Sequence, residues 1–415
     1  FPTRRSSDLR VDGAVFHESV VSFSEEQVVT VSQFGIPRSP EDFCNRAVKC
    51  GHPRGMSLHL PEVVTQVLRD NLEMEPSELA LVRCRQLARW AVRAKQLGEA
   101  EQQFKRSMPE HLQVLLQNKR LLLLREMLEE LDYPDKDLVK DISVGFRLTG
   151  WQEKTGVFPP CVKRPQFSVD TLRKLAKGLN RAIISQLSAE NDDDEIVRQT
   201  WDKTLEEVAL GYIWLDDKSS PDQVFLAKRF GLLQRAGKLR VIDDCSIGGV
   251  NGALGVVEKY KVHAIDETAA FLTWMLQFSQ KGIALEGLSG RTYDMKHAYK
   301  QYGIAVADRE LVRLAVRNPL DHTVALFGIN SLPFGASGSV GGFLRISLAV
   351  WYVGLVMFRL AWTAYFDDYT IFCRDMLIGN TSKTVDNLFD LLGIEVAREG
   401  SKATGFSKQF KSLGV

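Results

Sequence analysis

The 415-residue sequence predicts an α+β fold, in which a largely antiparallel sheet packed with helices follows a mainly helical N-terminal region. Apolar residues recur at steps of three and four in the first half, as on one face of a helix. After Gly211, short β-type runs alternate with helical stretches. The composition, 45% hydrophobic and 25% charged, is that of an ordinary globular protein. A chain of this length is long enough for two or three domains.

Residues 11–205 carry the helical pattern, which is clearest over 81–97, 112–131 and 168–187. Prolines at 61, 76, 109 and 134 separate the segments. No residue in this region carries recognisable chemistry, so it is assigned as a mainly helical region of unknown role. Residues 1–10 are set aside, because the run Phe-Pro-Thr-Arg-Arg-Ser-Ser-Asp-Leu at 1–9 resembles the translation of a sequencing-library adapter.

Residues 206–415 form the second predicted region. Helices are expected at 268–277 and 341–358. Strands are expected where β-prone residues cluster, at 224–227, 239–242, 324–329, 362–366 and 369–373.

Cysteine usage and hydropathy predict a reduced, intracellular protein without a membrane span. The six cysteines include no CxxC pair. The apolar run Ile346–Phe366 is interrupted by Arg359 after 13 residues, short of the roughly 18 that a span needs. The net charge of +1 argues mildly against a nucleic-acid partner. However, residues 228–240 contain five basic residues and no acidic one, which leaves room for a local phosphate site.

The strongest local motif is the segment 360–373, in which two apolar, β-prone runs flank Asp367 and Asp368. This pattern predicts a hairpin with two carboxylates at its tight turn, because aspartate suits turn positions. Two adjacent like charges are costly unless a cation neutralises them. Doubled aspartates also occur at 216–217 and 243–244, so the apolar hairpin is what distinguishes this pair.

Asp294, bordered by Tyr293 and Met295, is the candidate third carboxylate. A site for two metal ions about 3.5–4 Å apart needs several carboxylates that converge from separate strands. Mg²⁺ takes carboxylate oxygens and leaves positions open for substrate phosphates. These residues therefore predict a site for two Mg²⁺ ions, with Mn²⁺ as a substitute.

Two further segments complete the set. Ser331–Phe343 is a loop rich in small residues that leads into a helix, where glycine lets a ligand approach the backbone closely. Lys228–Arg240 reads as two strands joined by a turn at Ala236-Gly237, with basic residues able to hold a triphosphate.

In order and spacing, residues 224–415 resemble the fingers and palm of retroviral and retrotransposon reverse transcriptases. Tyr365-Phe-Asp-Asp368 is similar to the Tyr-x-Asp-Asp hairpin, and Asp294-Met-Lys-His-Ala-Tyr299 is similar to the first carboxylate strand. Further resemblances are Leu332-Pro-Phe-Gly335 to the loop that positions the templating base pair, Lys238–Asp244 to the fingers strand, Gly393 with Lys402 to the following motif, and Phe410–Val415 to the start of the primer grip. The sequence departs from the family at Val340 and Ser246, and in a longer loop between Arg229 and Arg240.

The resemblance implies a right-hand polymerase palm with fingers, truncated before the thumb, and RNA-directed DNA synthesis from dNTPs on a primed RNA or DNA template. It implies metal ligation by Asp294, Asp367, Asp368 and the backbone carbonyl of Met295. Lys402 would act as the general acid, and Phe334 and Gly335 would bound the nucleotide pocket. Arg240 would clamp the phosphates, and either Lys228 or Arg229 would provide the second contact. Other polyprotein modules (thumb, RNase H, integrase or recombinase) are expected downstream.

Tyr299 decides between DNA and RNA synthesis. In the family, this position lies under the sugar of the incoming nucleotide, and an aromatic ring there excludes the ribose 2′-OH, whereas RNA-dependent RNA polymerases place an aspartate there. A site that offers the hydroxyl a clash and no hydrogen-bond partner discriminates strongly. Two alternatives remain at this point: a non-catalytic nucleic-acid-binding domain derived from such an enzyme, and an RNA-dependent RNA polymerase.

Overall fold

In a computed structural model of the chain, helices and strands of both pairing directions alternate over residues 16–24, 27–35, 39–49, 60–189, 194–234, 237, 239–279, 287–400 and 403–412, which are the residues that the structure describes. The elements of the first half are β1 (Phe16–Ser24), β2 (Gln27–Gly35), α1 (Pro40–Lys49), α2 (Glu62–Glu73), α3 (Pro76–Gln96), α4 (Gly98–Arg106), α5 (Glu110–Leu115), α6 (Leu121–Glu130), α7 (Leu138–Val144), β3 (Gly150–Trp151), β4 (Pro160–Lys163), α8 (Val169–Ala189) and α9 (Asp194–Ala209).

The second half contains most of the strands. Its elements are β5 (Ile213–Leu215), β6 (Phe225–Leu233), β7 (Leu239–Asp244), β8 (Leu254–Glu258), α10 (Ile265–Ser279), β9 (Leu288–Asp294), α11 (Val306–Leu311), β10 (Val312–Arg317), β11 (Val324–Ile329), α12 (Ser337–Phe358), β12 (Ala361–Tyr365), β13 (Asp368–Arg374) and α13 (Ile378–Leu392). The mixture of helices with sheets confirms the predicted α+β class.

The strands form four sheets, in the orders β1-β2, β5-β11-β10-β6-β7, β12-β13-β9 and β3-β8-β4. The β12-β13-β9 sheet is fully antiparallel, as predicted. The prediction of a largely antiparallel sheet is incomplete elsewhere, because β10 pairs with β6, and β3 with β8, in parallel. A parallel neighbour requires a long crossover connection, which local strand patterns do not reveal.

The β12-β13-β9 sheet is held against α12 by aromatic side chains. The indole of Trp351 on α12 donates to the carbonyl of Trp362 on β12 at 2.8 Å, and the indole of Trp362 donates to the carbonyl of Trp351 at 3.0 Å. Gly354 allows this close approach, since a Cβ atom there would lie 1.9 Å from the Trp362 ring. These contacts fix the helix directly over the strand that leads into Tyr365-Phe-Asp-Asp368.

Elements on the two sides of the boundary predicted between residues 205 and 206 pack together. Helices α2 and α3 pack on α12, and α8 and α9 pack on β6. One hydrophobic cluster runs from Val64 to Val396 and includes side chains from both predicted regions. Residues 11–205 also contain strands, of which β3 and β4 pair with β8. The periodic segments 81–97 and 168–187 fall on α3 and α8, whereas 112–131 is divided between α5 and α6. Periodicity carries no information on what each apolar face packs against.

Helix α12 is the core helix of the molecule. Among the described residues it is the one helix that is long and apolar enough to cross a membrane, yet 72% of its most apolar window is buried inside the protein. It ends at Phe358, as predicted, and Arg359 follows in the left-handed conformation (φ 51°). Burial on all sides explains its uniformly apolar sequence without a membrane.

Candidate active site

The three predicted carboxylate residues meet at one corner of the β12-β13-β9 sheet. Strand β9 ends at Asp294 and β13 begins at Asp368, and these two residues are direct partners in the antiparallel register. Such partners have Cα atoms about 4.5–5.5 Å apart. The backbone N–H of Met295 donates to the carbonyl of Asp367 at 3.0 Å. Strand pairing therefore brings Asp294, 73 positions before Asp367 in the sequence (367 − 294), next to the aspartate pair.

The hairpin turn is formed by Phe366 and Asp367, one residue earlier than predicted, because Asp368 already pairs with Tyr365. Phe366 has a φ of 54°, which is rare for a bulky residue and costs free energy. The hydroxyl of Ser347 on α12 donates to the Phe366 carbonyl at 2.5 Å. The phenol of Tyr369 in turn hydrogen-bonds to Ser347. The strained turn is thus held in place from the core helix.

Each of the three aspartates is partly exposed. Within the described part of the chain, no group of three or more His, Cys, Asp or Glu side chains is gathered closely enough to hold a metal ion as it stands. Like charges repel at short range, and a bound cation would draw the carboxylates together. Met295 contributes its backbone. Its N–H is the group that bonds to the carbonyl of Asp367.

Tyr299 lies in an aromatic pocket beside the carboxylates. Its ring stacks on Phe343 at 4.5 Å between centroids (19° between planes) and lies 4.9 Å from the ring of Phe334. Burial, with a contribution from the negative charge of Asp367, raises the pKa of the Tyr299 phenol far above its usual range. The phenol therefore stays neutral, and its hydroxyl end is near Asp367. Phe334 is 42% exposed and forms the open wall of this pocket.

Gly335 is required at its position for two reasons. Its φ is +99°, a conformation that side chains with a Cβ rarely adopt. A Cβ atom would also lie 2.1 Å from the backbone oxygen of Asp243. The amide of Asn251 donates to the Gly335 carbonyl at 2.9 Å and accepts from the N–H of Ser337 at 2.7 Å. The loop beside the pocket is therefore attached to the end of β7.

The β6–β7 register shows which basic residues of the predicted hairpin lie on the same face as Arg240. In the β6–β7 register, Lys228 is opposite Asp244, and Arg240 is opposite Leu232. Because strand side chains alternate between faces, Lys228 and Arg240 share one face and Arg229 lies on the other. Arg240 is exposed, and Lys228 is 8% exposed, with its ammonium 5.4 Å from the ring centre of Phe230.

Of the two candidates for the second phosphate contact, Arg229 is disfavoured by its ion pairs. Its side chain is 1% exposed and forms ion pairs with Asp243 at 2.7 Å and Glu207 at 2.8 Å. Its donors are already used by these carboxylates, so a phosphate would have to displace them. The sequence showed only a basic residue in a strand; it did not show which face that residue occupies.

Three other predictions concern residues at the limits of the structure. Lys402, the predicted general acid, lies outside the described residues, as do Ala236 and residues 413–415. Residues 403–412, which lie between Lys402 and residue 413, are described. Among them, Phe410 packs on Phe372 of β13 with 5.9 Å between ring centroids. The other doubled aspartates have structural partners: Asp216 pairs with Arg313, and Asp243 with Arg229.

Sequence reasoning missed two residues that shape the site. Ser347 holds the Phe366 carbonyl, and Asn251 holds the loop at Gly335. Ser347 gives a weak signal, as a hydroxyl within an otherwise apolar helix. Asn251 gives none, because an asparagine among glycines is typical of any loop.

No protein-family model matches the chain, and no curated protein matches it at a significant level. The chain has three aspartates at one sheet corner, the ring cluster of Tyr299 with Phe334 and Phe343, and an exposed arginine on the β6–β7 hairpin. These are the groups needed to bind divalent cations together with a phosphate ester.

Proposed function

We propose that this chain is the fingers and palm of an RNA-directed DNA polymerase, a nucleotidyltransferase that adds dNTPs to a primer 3′-OH. The observation that carries the proposal is the direct pairing of Asp294 with Asp368 in adjacent strands. Beside this pair, the Asp367 carbonyl accepts a hydrogen bond from the Met295 N–H. Three aspartates at one sheet corner supply the carboxylate oxygens that a divalent cation such as Mg²⁺ takes.

The donor set fits two Mg²⁺ ions. Asp294, Asp367 and Asp368 would supply carboxylate oxygens, and Met295 its backbone carbonyl; Mn²⁺ suits the same ligands. When bound, such ions activate a hydroxyl nucleophile and stabilise the charge on the transferred phosphoryl group. The protein positions the carboxylates through the strained turn at Phe366, which Ser347 holds from α12.

Nucleotide selection is assigned to Tyr299. Its ring is stacked on Phe343 and cannot move away from an added hydroxyl without breaking that contact. A deoxyribose leaves this volume empty, whereas the 2′-OH of a ribose would clash with the packed ring. This argues for dNTPs and against RNA synthesis.

The triphosphate contact is assigned to Arg240, the exposed member of Lys228, Arg229 and Arg240. A planar guanidinium binds phosphate oxygens through two N–H groups at once. The template partner is a primed RNA or DNA strand. The protein would recognise the backbone and sugar of this strand and not its bases.

Replacement of Asp367 with asparagine tests the proposal. The change keeps the shape and removes one ligand charge, and we expect Mg²⁺-dependent incorporation of a labelled dNTP on an RNA template with a DNA primer to fall at least about a thousandfold, since bound metal supplies several kcal/mol and 1.36 kcal/mol is tenfold in rate. Manganese binding, followed by electron paramagnetic resonance, should weaken in parallel.

Asp217→Asn is the matched control. Asp217 also belongs to a doubled aspartate, but it is exposed and lies far from β13 in the sequence. We expect its incorporation rate and manganese affinity to equal those of the unaltered protein. Near-normal incorporation by Asp367→Asn would refute the active-site assignment. Manganese binding without any incorporation would instead favour a non-catalytic domain derived from such an enzyme.

A further inference from the structure

Four charged side chains form a buried cluster that the sequence motifs do not indicate. Glu207 comes from α9, Arg229 from β6, Asp243 from β7, and Lys300 from the turn that follows β9. Lys300 donates to Glu207 at 3.0 Å and lies 4.0 Å from Asp243. Arg229 joins the same two carboxylates at 2.8 Å and 2.7 Å. We call these four residues the buried charge cluster.

The cluster contains two positive and two negative charges, and most of its side-chain surface is buried. Arg229, Asp243 and Lys300 are 1%, 2% and 7% exposed, and Glu207 is 22% exposed. Burial alone would raise the pKa of the Glu207 carboxyl, but the charges of Lys300 and Arg229 outweigh burial and lower it to about 2. Buried ion pairs are often no more stabilising than apolar residues of the same volume. Stability alone is therefore a weak reason for four buried charges at this position.

The cluster connects two sides of the nucleotide pocket. Lys300 directly follows Tyr299 in the short 3-10 turn Ala298–Gln301. Asp243 places its backbone oxygen against Gly335, where a Cβ would approach to 2.1 Å. The Tyr299 ring and the Gly335 loop come from different parts of the chain, and the cluster joins their backbones through ion pairs.

We propose that Glu207 is a positioning residue that, through Lys300 and Asp243, sets the separation of Tyr299 from the Gly335 loop and thereby the choice between dNTP and rNTP. The inference rests on the proposed function. Glu207 touches neither substrate nor metal in this scheme. It acts because a small displacement of the Tyr299 ring would free the volume that the ribose hydroxyl needs. A misplacement of about 1 Å changes rates by up to about a hundredfold.

Glu207→Gln is the first test. It removes one negative charge and leaves Arg229 and Lys300 to share Asp243. For single-nucleotide incorporation we expect KM for dNTP to rise about tenfold and the dNTP/rNTP ratio of kcat/KM to fall between about tenfold and a hundredfold. We expect kcat to change less than KM, because the carboxylates at 294, 367 and 368 are not part of the cluster.

The double variant Glu207→Gln/Lys300→Met separates positioning from stability. It restores charge balance, since Arg229 and Asp243 remain as a single pair. We expect its urea unfolding midpoint to recover toward that of the unaltered protein while nucleotide discrimination stays low, because Tyr299 has lost its connection to α9. Recovery of discrimination together with stability would overturn the proposal.

Asp216→Asn provides the matched control. Asp216 forms an ion pair with Arg313 in the same five-stranded sheet, and both side chains are less than a tenth exposed, at 7% and 8%. Its loss should lower stability but leave the dNTP/rNTP ratio unchanged. An equal loss of discrimination in Asp216→Asn would reduce the effect to general destabilisation and overturn the proposal.

Hydrogen exchange gives a readout that does not require catalysis. In Glu207→Gln we expect faster amide exchange over residues 298–302 and 335–337, and no such change in Asp216→Asn. If the unaltered chain shows no Mg²⁺-dependent incorporation, the proposed function fails, and the exchange result still decides whether the cluster holds these segments. Unchanged exchange in both segments would overturn the positioning role by itself.

Discussion

Arg83 is a buried cation whose replacement has a calculable cost. Its side chain is fully buried, and burial lowers its pKa to about 10. All five N–H groups of the guanidinium are used. The hydrogen-bond acceptors are two backbone carbonyls at the end of α12 and three side chains, namely Phe358 O at 3.0 Å, Arg359 O at 2.9 Å, Asn71 Oδ1 at 3.1 Å, Asn380 Oδ1 at 3.2 Å and Thr381 Oγ1 at 2.9 Å.

We expect Arg83→Met to lower the free energy of unfolding by about 3 kcal/mol. Methionine fills much of the same volume, so the loss is mainly that of the hydrogen bonds. The Phe358 carbonyl loses its charged donor, and an unsatisfied buried acceptor costs about 1–3 kcal/mol. The Arg359 carbonyl keeps the hydrogen bond that it accepts from the Asn71 amide at 2.8 Å. The three polar side chains have other partners within reach of a small rotation. The favourable interaction of a cation with a helix C-terminus is also lost, at about 0.3–2 kcal/mol.

The measurement is urea unfolding, followed by far-UV circular dichroism and tryptophan fluorescence, with free energies from linear extrapolation where the two transitions coincide. Arg89→Met is the matched control, because Arg89 lies on the same helix, pairs with Glu130 and is 52% exposed. Exposed ion pairs contribute about 0–1 kcal/mol. If Arg83→Met were as mild as Arg89→Met, the capping role assigned to Arg83 would be wrong.

Two more predictions concern selection and pH. Tyr299→Val should raise rNTP use relative to dNTP use by about tenfold to a hundredfold in kcat/KM, whereas Tyr299→Phe, which keeps the ring, should not; no gain with valine counts against the gate. His263 accepts a hydrogen bond from the N–H of Ala364, and burial lowers its pKa from 6.5 to about 4. As pH falls, the unfolded chain takes up the proton first, so the stability from neutral His263 is complete above pH 6.5 and is lost between pH 6.5 and 4. Between pH 6.5 and 4, His263→Gln should reduce the slope of the unfolding free energy against pH by up to about 1.4 kcal/mol per pH unit. An unchanged slope would contradict the assignment.

The sequence predicted best those elements whose own pattern is strong. Strand β11 has the predicted bounds, and α12 ends at the predicted residue. The hairpin around Asp367 was predicted to within one residue. In these segments the apolar pattern extends over the whole element and the flanking residues end it, so local information is sufficient.

Orientation was the part that local information could not provide. Lys228 and Arg229 are neighbours in one strand, and alternation requires that they face opposite sides. Which of them faces Glu207 depends on the register with β7 and on what packs against each face. The same limit applies to residues 60–205, where helices were recognised but their packing against α12 was not, because a helix pattern identifies an apolar face without identifying its partner.

The doubled aspartates illustrate why pairing, not composition, carries the functional argument. Asp216 is held by Arg313 and Asp243 by Arg229, so in both pairs one member closes a buried ion pair within the five-stranded sheet. Asp367 and Asp368 instead occupy the end of a hairpin, where the neighbouring strand contributes a further aspartate in register. Like charges directly opposite each other in a sheet are destabilising, and the residue opposite Asp368 is Asp294. A divalent cation bound between the two carboxylates would offset that repulsion.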